Sequence, residues 1–473
     1  MPEPHKYQKL QPIEIHQPES SKTAYASPRN HIYVRAVKGF WSTLRKRMGW
    51  VAMLAFLMLP WLSWNDRQAV WFDLINQKFH IFGIIIWPQD LTLLAALLMV
   101  AAFALFFVTT YLGRVWCGYT CPQTVWTFIF IWFEEKIEGA RNKRIALDKQ
   151  QWNFNKVWRK GLKHFAWLTV ALGTSLTFIS FFVPATELYI DFFTGESAGL
   201  TYFWVIFFTF ATYGNAGWMR EIMCTHMCPY ARFQSAMFDE NTFIVGYDAT
   251  RGEKRGPRSR KVDPKEKGLG DCIDCDLCVQ VCPTGIDIRN GMQYECINCG
   301  NCIDACNNTM ERMGYQQNLI SYTTENKLAG KHQHTVRPKL VGYGVVLAIF
   351  TGLFTYALIN IDPVRIDIIR DRNALYRMTH DGLVENTYTI KVLNKTEATQ
   401  TYQISTEGVD VMRWTGPNQV TLKSGEILNV PISIATDQYE LDKSIVNISF
   451  SVQSLENKEI TATQESRFFS AFN

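Results

Sequence analysis

A multi-domain α+β membrane protein is the fold class this chain predicts, on three observations. Five apolar blocks punctuate it, two tandem cysteine runs lie between the last two blocks, and apolar residues alternate through the C-terminal stretch. The 473 residues are too many for one ordinary domain. A mean hydropathy of −0.07 would pass for a soluble protein, but the apolar residues are concentrated in the blocks. Aromatic residues make up 14%, with 15 tryptophans, as expected where tryptophan and tyrosine line membrane interfaces.

The blocks lie near residues 48–64, 91–112, 165–184, 200–218 and 339–360, and a bilayer-spanning helix needs about 20 predominantly apolar residues. The first 47 residues are polar, carry Pro2, Pro4, Pro12, Pro18 and Pro28, and lack an apolar core of the signal-peptide kind. They are expected to form a disordered cytoplasmic tail. Lysine and arginine gather before the first block (Arg35, Lys38, Arg45, Lys46, Arg47) and between the second and third (Lys136 through Lys163), which predicts those sides as cytoplasmic. The links 65–90 and 185–199 are nearly free of them. Five spans then place the N-terminus inside and the C-terminus outside. The run Arg251, Lys254, Arg255, Arg258, Arg260, Lys261 is expected as a solvated linker or a lipid-headgroup contact, not a nucleic-acid site.

All twelve cysteines fall into four short motifs. Cys272, Cys275, Cys278 and Cys282 form the first run, closed by Pro283; Cys296, Cys299, Cys302 and Cys306 repeat its spacing, with Asn307 where a proline usually follows. Three thiolates two residues apart wrap a tight loop around one [4Fe-4S] cluster, while the fourth reaches across to the other. The predicted ligand sets are therefore crossed: Cys272, Cys275, Cys278 and Cys306 for one cluster, Cys296, Cys299, Cys302 and Cys282 for the other. A structural zinc site or a disulfide framework suits the spacing less well.

The remaining motifs are two Cys-x3-Cys-Pro pairs, Cys117 with Cys121 and Cys224 with Cys228, each just past an apolar block and each preceded by a basic residue. The stretches 109–126 and 211–234 thereby form an internal repeat. Thiols at i and i+4 share a helix face, and Pro122 or Pro229 suits the first position of a following helix. The pairs could make two two-thiolate sites or one four-thiolate site. Met219, Met223, His226 and Met227 surround the second pair, and thiolate with thioether donors favours Cu(I). A third cluster, a redox-active dithiol and plain interfacial packing of the methionines are the alternatives. The nine histidines form no pair within the blocks, which speaks against bis-histidine haem, and no glycine-rich nucleotide fingerprint occurs.

From residue 361 the pattern changes to period two: Tyr388, Ile390, Val392; Tyr402, Ile404; Val430, Ile432, Ile434; Val446, Ile448, Phe450, Val452, with turns at Asn394-Lys395 and Ser424-Gly425. This predicts an immunoglobulin-like β-sandwich.

The stretch CPTGIDIRNGMQYECINCGNCIDAC at 282–306, the two Cys-x3-Cys-Pro motifs, PQD at 88–90 and the β-rich tail together resemble the FixG/RdxA/CcoG cytochrome c oxidase accessory proteins. The resemblance implies an inner-membrane iron-sulfur protein that assists maturation of cbb-type oxidases, with a proposed role as a cupric reductase. It implies oxidase subunits or copper-delivery proteins as partners and an unknown electron donor. Cys117, Cys121, Cys224 and Cys228 then become candidate catalytic residues and, with Met223 and Met227, candidate copper ligands. The chain is also similar to polyferredoxin subunits of quinol-linked reductases such as NapH and NosR, and a non-enzymatic assembly scaffold is a third class. The expected division is 1–47 tail, 48–240 membrane domain, 241–335 cytoplasmic ferredoxin domain, 336–360 fifth span and 361–473 periplasmic sandwich.

Overall fold

The computed structural model describes residues 32–65, 67–260, 267–372, 374–396, 398–441 and 443–470. Residues 1–31 of the expected tail, and Lys261 of the basic run, lie outside the described residues. The chain forms two compact units, Met1–Trp61 with Met99–Ile349 and Leu62–Leu98 with Phe350–Asn473.

In the first unit helix α1 spans Phe40–Met58, so the boundary expected at residue 47 falls inside a helix. Its start is set by Asp304, whose carboxylate accepts the N–H groups of Trp41 at 3.2 Å and Ser42 at 2.7 Å. These are donors that a first helical turn leaves without partners. Ahead of it Val34 is buried and the Arg35 N–H donates to the Gln280 carbonyl at 2.7 Å. Residues 32–47 are thus held by partners far away in sequence, which their own composition does not announce.

Among the described residues three helices are long and apolar enough to cross a membrane: α2 at Leu91–Leu112, α5 at Phe154–Ile179 and α9 at Pro338–Ile359. Five were expected. Helix α1 carries Arg45, Lys46 and Arg47 in its first half and passes into a 3-10 turn containing Pro60, while α6, Gly199–Tyr213, has 15 residues before it passes into a π-helical turn, Gly214–Met219. Between these elements lie a short helix, α3 at Val115–Tyr119, and α4 at Pro122–Ile137.

Glu134 of α4 knots this region together. Its carboxylate is 1% exposed and meets Arg144 at 2.9 Å and Arg220 at 2.6 Å, with Lys163 at 3.9 Å. Lys163 also reaches Glu138 at 3.1 Å, and Lys160 bridges Glu138 and Asp148 at 3.0 and 2.6 Å. Arg220 holds a left-handed backbone, φ 38°, between two π-helical turns. Its clamp to Glu134 and the Nε donation to the Gly217 carbonyl at 2.9 Å fix that kink.

Strands Ile244–Tyr247 and Ile320–Thr323 pair antiparallel, Val245 opposite Tyr322, and close the segment that carries both cysteine runs. Helix α7, Pro229–Met237, precedes them and α8, Asn301–Met313, lies between, stopped by Gly314 at φ 77°.

The second unit is built on two antiparallel sheets. One has the order β4(Arg413–Thr415), β6(Ile427–Thr436), β2(Val384–Asn394), β1(Val364–Arg370); the other β5(Gln419–Leu422), β3(Gln400–Glu407), β7(Ile445–Ser454), β8(Thr461–Phe469). Pairing β2 with β6 and β3 with β7 crosses the chain order as an immunoglobulin-like sandwich does. The alternating residues of both sheets meet in one core, Tyr388 packing on Phe450 at 5.0 Å. Asn394, expected in a turn, ends β2 as a buried hub: its amide donates to three carbonyls, of Ala398, Leu422 and Lys423, and its oxygen accepts from Tyr402 at 2.9 Å. A three-stranded sheet, Val70–Asp73, Lys78–Ile81 and Ile84–Ile86, belongs to the same unit. Ile85 and Trp87 pack with Leu393, and Asp90 of the PQD stretch pairs with Lys395 at 2.8 Å.

Replacing Glu134 by Gln removes the carboxylate that pairs with both Arg144 and Arg220. The expected cost is about 3–5 kcal/mol, read as a lowered thermal midpoint of the detergent-purified protein; an unchanged midpoint would mean that these cations are solvated.

Candidate metal centres

Each cysteine run turns sharply on both sides of its middle cysteine. Asp274 and Asp276 flank Cys275 with φ 55° each, and Asn298 and Gly300 flank Cys299 with φ 52° and 74°. Asp, Asn and Gly are the residues that tolerate this left-handed region. The turns deliver Cys278 to a single helical turn, Leu277–Gln280, and Cys302 to the start of α8.

The folded chain brings the predicted sets together in crossed fashion. Cys272, Cys275, Cys278 and Cys306 line one cavity, and Cys282, Cys296, Cys299 and Cys302 line another, with Cys278 at the edge of both. Among the described residues no three His, Cys, Asp or Glu side chains gather as ligands of a single ion. The cysteines surround a volume instead, which fits a multi-iron cluster better than one zinc ion.

Burial pushes the thiols of Cys278, Cys296 and Cys306 up to about 12, and neighbouring thiols add to this: Cys282 and Cys299 for Cys296, Cys272 and Cys275 for Cys306. Cys275 is the exposed member. Arg289, which faces the first cavity, binds Asp274 and Asp276 at 2.6 Å and Asp287 at 2.7 Å, and so pins the first loop. Arg258 donates to the carbonyls of Cys272 at 3.2 Å and Gly270 at 2.6 Å, and Arg251 pairs with Asp271 at 2.8 Å. The basic run expected as a linker therefore holds the ligand loop through these two members. Asn307, in place of proline, accepts the Asn318 N–H at 2.8 Å.

The Cys-x3-Cys-Pro pairs do not lie on one continuous helix, as i and i+4 thiols would. Cys117 lies in α3 and Cys121 caps α4, whose first residue is Pro122; Cys224 lies in a π-helical turn, Met223–Met227, and Cys228 caps α7, starting at Pro229. The helix breaks between the cysteines because a proline at N1 obliges a new start. The two copies nevertheless converge. Thr109 bonds Tyr230 at 2.8 Å, Cys117 Sγ lies 3.4 Å from Gln234 Oε1, and Gln123 donates to the Asn215 carbonyl at 2.9 Å. Cys117 and Cys224 are both pushed up to about 12, first by burial and then by Cys121 and Cys228, with Arg114 opposing. All four thiols thus share one electrostatic neighbourhood.

Arg114 joins this neighbourhood to the second cluster cavity. Its buried guanidinium donates to the carbonyls of Tyr294 and Ala231, and Cys117, Cys224 and Cys296 all act on its charge. Gly118 marks the closest approach: a Cβ there would stand 2.6 Å from the Ile297 carbonyl oxygen. On the other side Tyr322 donates to the Asn298 carbonyl and meets Tyr119 at 3.0 Å, while Arg45 bonds Asn301 at 2.7 Å.

Comparison with known proteins follows this geometry. A family model described as "4Fe-4S dicluster domain" matches residues 219–325, one described as "4Fe-4S binding domain" matches 93–138, and one for the IG-like fold at the C-terminal of FixG matches 354–471. "Nitrogen fixation protein FixG" of Rhizobium meliloti is 34% identical over 435 residues, 83% of this chain and 82% of the relative. The chain belongs to the FixG/RdxA family. "Protein RdxA" of Cereibacter sphaeroides is 38% identical over 404 residues, 82% of this chain and 84% of the relative, and "Protein RdxB" of the same organism 37% over 407 residues with the same coverage. A solved structure, "Crystal structure of FixG-related protein from Vibrio parahaemolyticus", shares 38% identity over 24% of this chain and all of that chain, with a TM-score of 0.22. The family is one of iron-sulfur electron-transfer proteins with apolar, membrane-type helices.

Sequence reasoning missed Arg114, Arg289, Asp304 and Gly118. The basic residue before each Cys-x3-Cys motif was visible; its partners were not. Gly118→Val is expected to cost about 1–3 kcal/mol through the contact with Ile297, and Gly118→Ala less, measured as falling thermal midpoints. Equal midpoints for all three chains would mean that α3 does not dock on the ligand loop.

Proposed function

We propose that the protein is a membrane-bound one-electron carrier that reduces Cu(II) to Cu(I) in support of cbb-type oxidase maturation. The observation that carries this is the junction at Arg114, where the half-buried thiols of Cys117 and Cys224 act on the same guanidinium as Cys296 of the second cluster cavity. Cys272, Cys275, Cys278 and Cys306 would hold one [4Fe-4S] cluster and Cys296, Cys299, Cys302 and Cys282 the other. When bound, such clusters supply one-electron transfer with little rearrangement. The protein's own part is to bury or half-bury most of the thiols, to fix their loops through Arg289 and Arg258, and to keep Arg114 between the two places. Copper is substrate, met at Cys117, Cys121, Cys224 and Cys228, with Met223 and the exposed Met227 as soft donors beside them. Oxidase subunits or copper-delivery proteins are the proposed recipients.

Contacts support the proposed topology. The bond from Arg114 to Tyr294 is consistent with both residues lying on one side, and α5 and α6 are then proposed to cross as a pair. The ion pair of Asp90 with Lys395 is consistent with residues 62–90 lying on the same side as the sandwich. With α1 crossing as well, five spans leave the N-terminus and cysteines cytoplasmic and the sandwich periplasmic, in accord with the lysine and arginine bias.

A second reading has its own support: the description "4Fe-4S binding domain" covers Cys117 and Cys121, so the four thiols would hold a further cluster. One double variant separates the two. Protein reduced with dithionite, freed of excess and mixed anaerobically with Cu(II), is expected to form chelatable Cu(I); Cys224→Ser with Cys228→Ser is expected to keep its iron and lose Cu(I) formation. Retained Cu(I) formation removes these thiols from the reaction, and a lower iron content favours the further cluster.

A further inference from the structure

In the first unit a cavity of about 390 Å³ opens between α1, α4, α5 and α6, within the range of pockets that hold small organic ligands. Phe56 meets Trp126 edge-on at 5.8 Å, and Phe178 meets Phe208 at 4.8 Å, so two aromatic pairs wall it. No ionisable residue lines it. A phosphate, a carboxylate or a metal ion would therefore find no counter-charge, and the lining suits a neutral molecule.

Of its polar groups, Trp126 donates to Thr174 at 2.8 Å and Ser175 donates to the Val205 carbonyl at 2.6 Å, which commits them within the protein. The Thr212 hydroxyl and the Asn215 side-chain amide both line the cavity, and neither has a hydrogen-bond partner among the described residues. Gln123 spends its N–H groups on the carbonyls of Asn215 and Arg220, at 2.9 and 3.4 Å, leaving its own oxygen as an acceptor. Amide and hydroxyl groups offer donors and acceptors together. They can serve a ring oxygen whether it is a carbonyl or a hydroxyl, which a site for a redox-cycled ring requires. Pro122 forms part of the wall, and the preceding residue is Cys121.

We propose that this cavity binds the headgroup of an isoprenoid para-quinone, entering from the lipid phase: the flat ring between the aromatic pairs, its oxygens on Asn215, Thr212 and Gln123. The redox meaning of the site rests on the electron-carrier reading above; the binding itself does not. Occupancy would put the quinone pool beside the four-thiol place, at the membrane end of the protein.

The test uses the full chain in detergent with two probes. An azido-benzoquinone photolabel is expected to mark peptides containing residues 122–126 or 208–216, and decylubiquinone to suppress that labelling while equal phospholipid does not. Asn215→Leu and Thr212→Phe are each expected to weaken decylubiquinone binding tenfold or more with iron content unchanged. Labelling scattered over α2 and α9, suppression by phospholipid as strong as by decylubiquinone, or wild-type affinity in both variants would overturn the assignment. Failure here with Cu(I) still formed by dithionite-reduced protein would leave the electron-carrier reading standing; quinone binding without copper reduction would do the reverse.

Discussion

A buried thiol stays protonated, and a protonated thiol ligates nothing. This constraint governs the first unit. Burial pushes Cys278, Cys296 and Cys306 up to about 12, so for these three ligands a metal's charge must offset the cost of forming a buried thiolate. The fold prepares for this by fixing the loops beforehand. Left-handed turns at Asp274, Asp276, Asn298 and Gly300 aim the thiols, and Arg289 neutralises the carboxylates that those turns bring together.

The second consequence is continuity. Two cavities lined in crossed sets force both runs into one body, because each run is incomplete without the last cysteine of the other. Helix α1 is tied to that body through Asp304, and α3 through Gly118 and Arg114. The Cys-x3-Cys motifs therefore adjoin the cluster loops directly. Glu134 performs the matching task for the second motif, holding Arg220 at the kink that leads to Cys224.

Much of this was legible in the sequence where the signal is local. Cysteine spacing led to the expectation of crossed sets, because a tight loop presents neighbouring thiols to one cluster, and the folded chain groups the cysteines around two cavities in that pattern. Alternation gave the sandwich: Tyr388, Ile390 and Val392 point inward because a strand repeats every two residues. Pro122 and Pro229 stand at helix starts as their missing donor dictates. What escaped depends on distant pairs. Asp304 orders a segment 263 positions away, and Glu134 and Arg220 are 86 apart. Of the five expected spans, three are matched among the described residues by helices long and apolar enough to cross, whereas α1 is basic in its first half and α6 has 15 residues.

The crossed ligand sets are the claim on which the rest depends. The most direct measurement is electron paramagnetic resonance of the reduced protein in four single serine variants. Cys306→Ser is expected to remove the same signal as Cys275→Ser, and Cys282→Ser the same signal as Cys296→Ser. If Cys282→Ser instead matches Cys275→Ser, and Cys306→Ser matches Cys296→Ser, each run would hold its own cluster and the account would be contradicted.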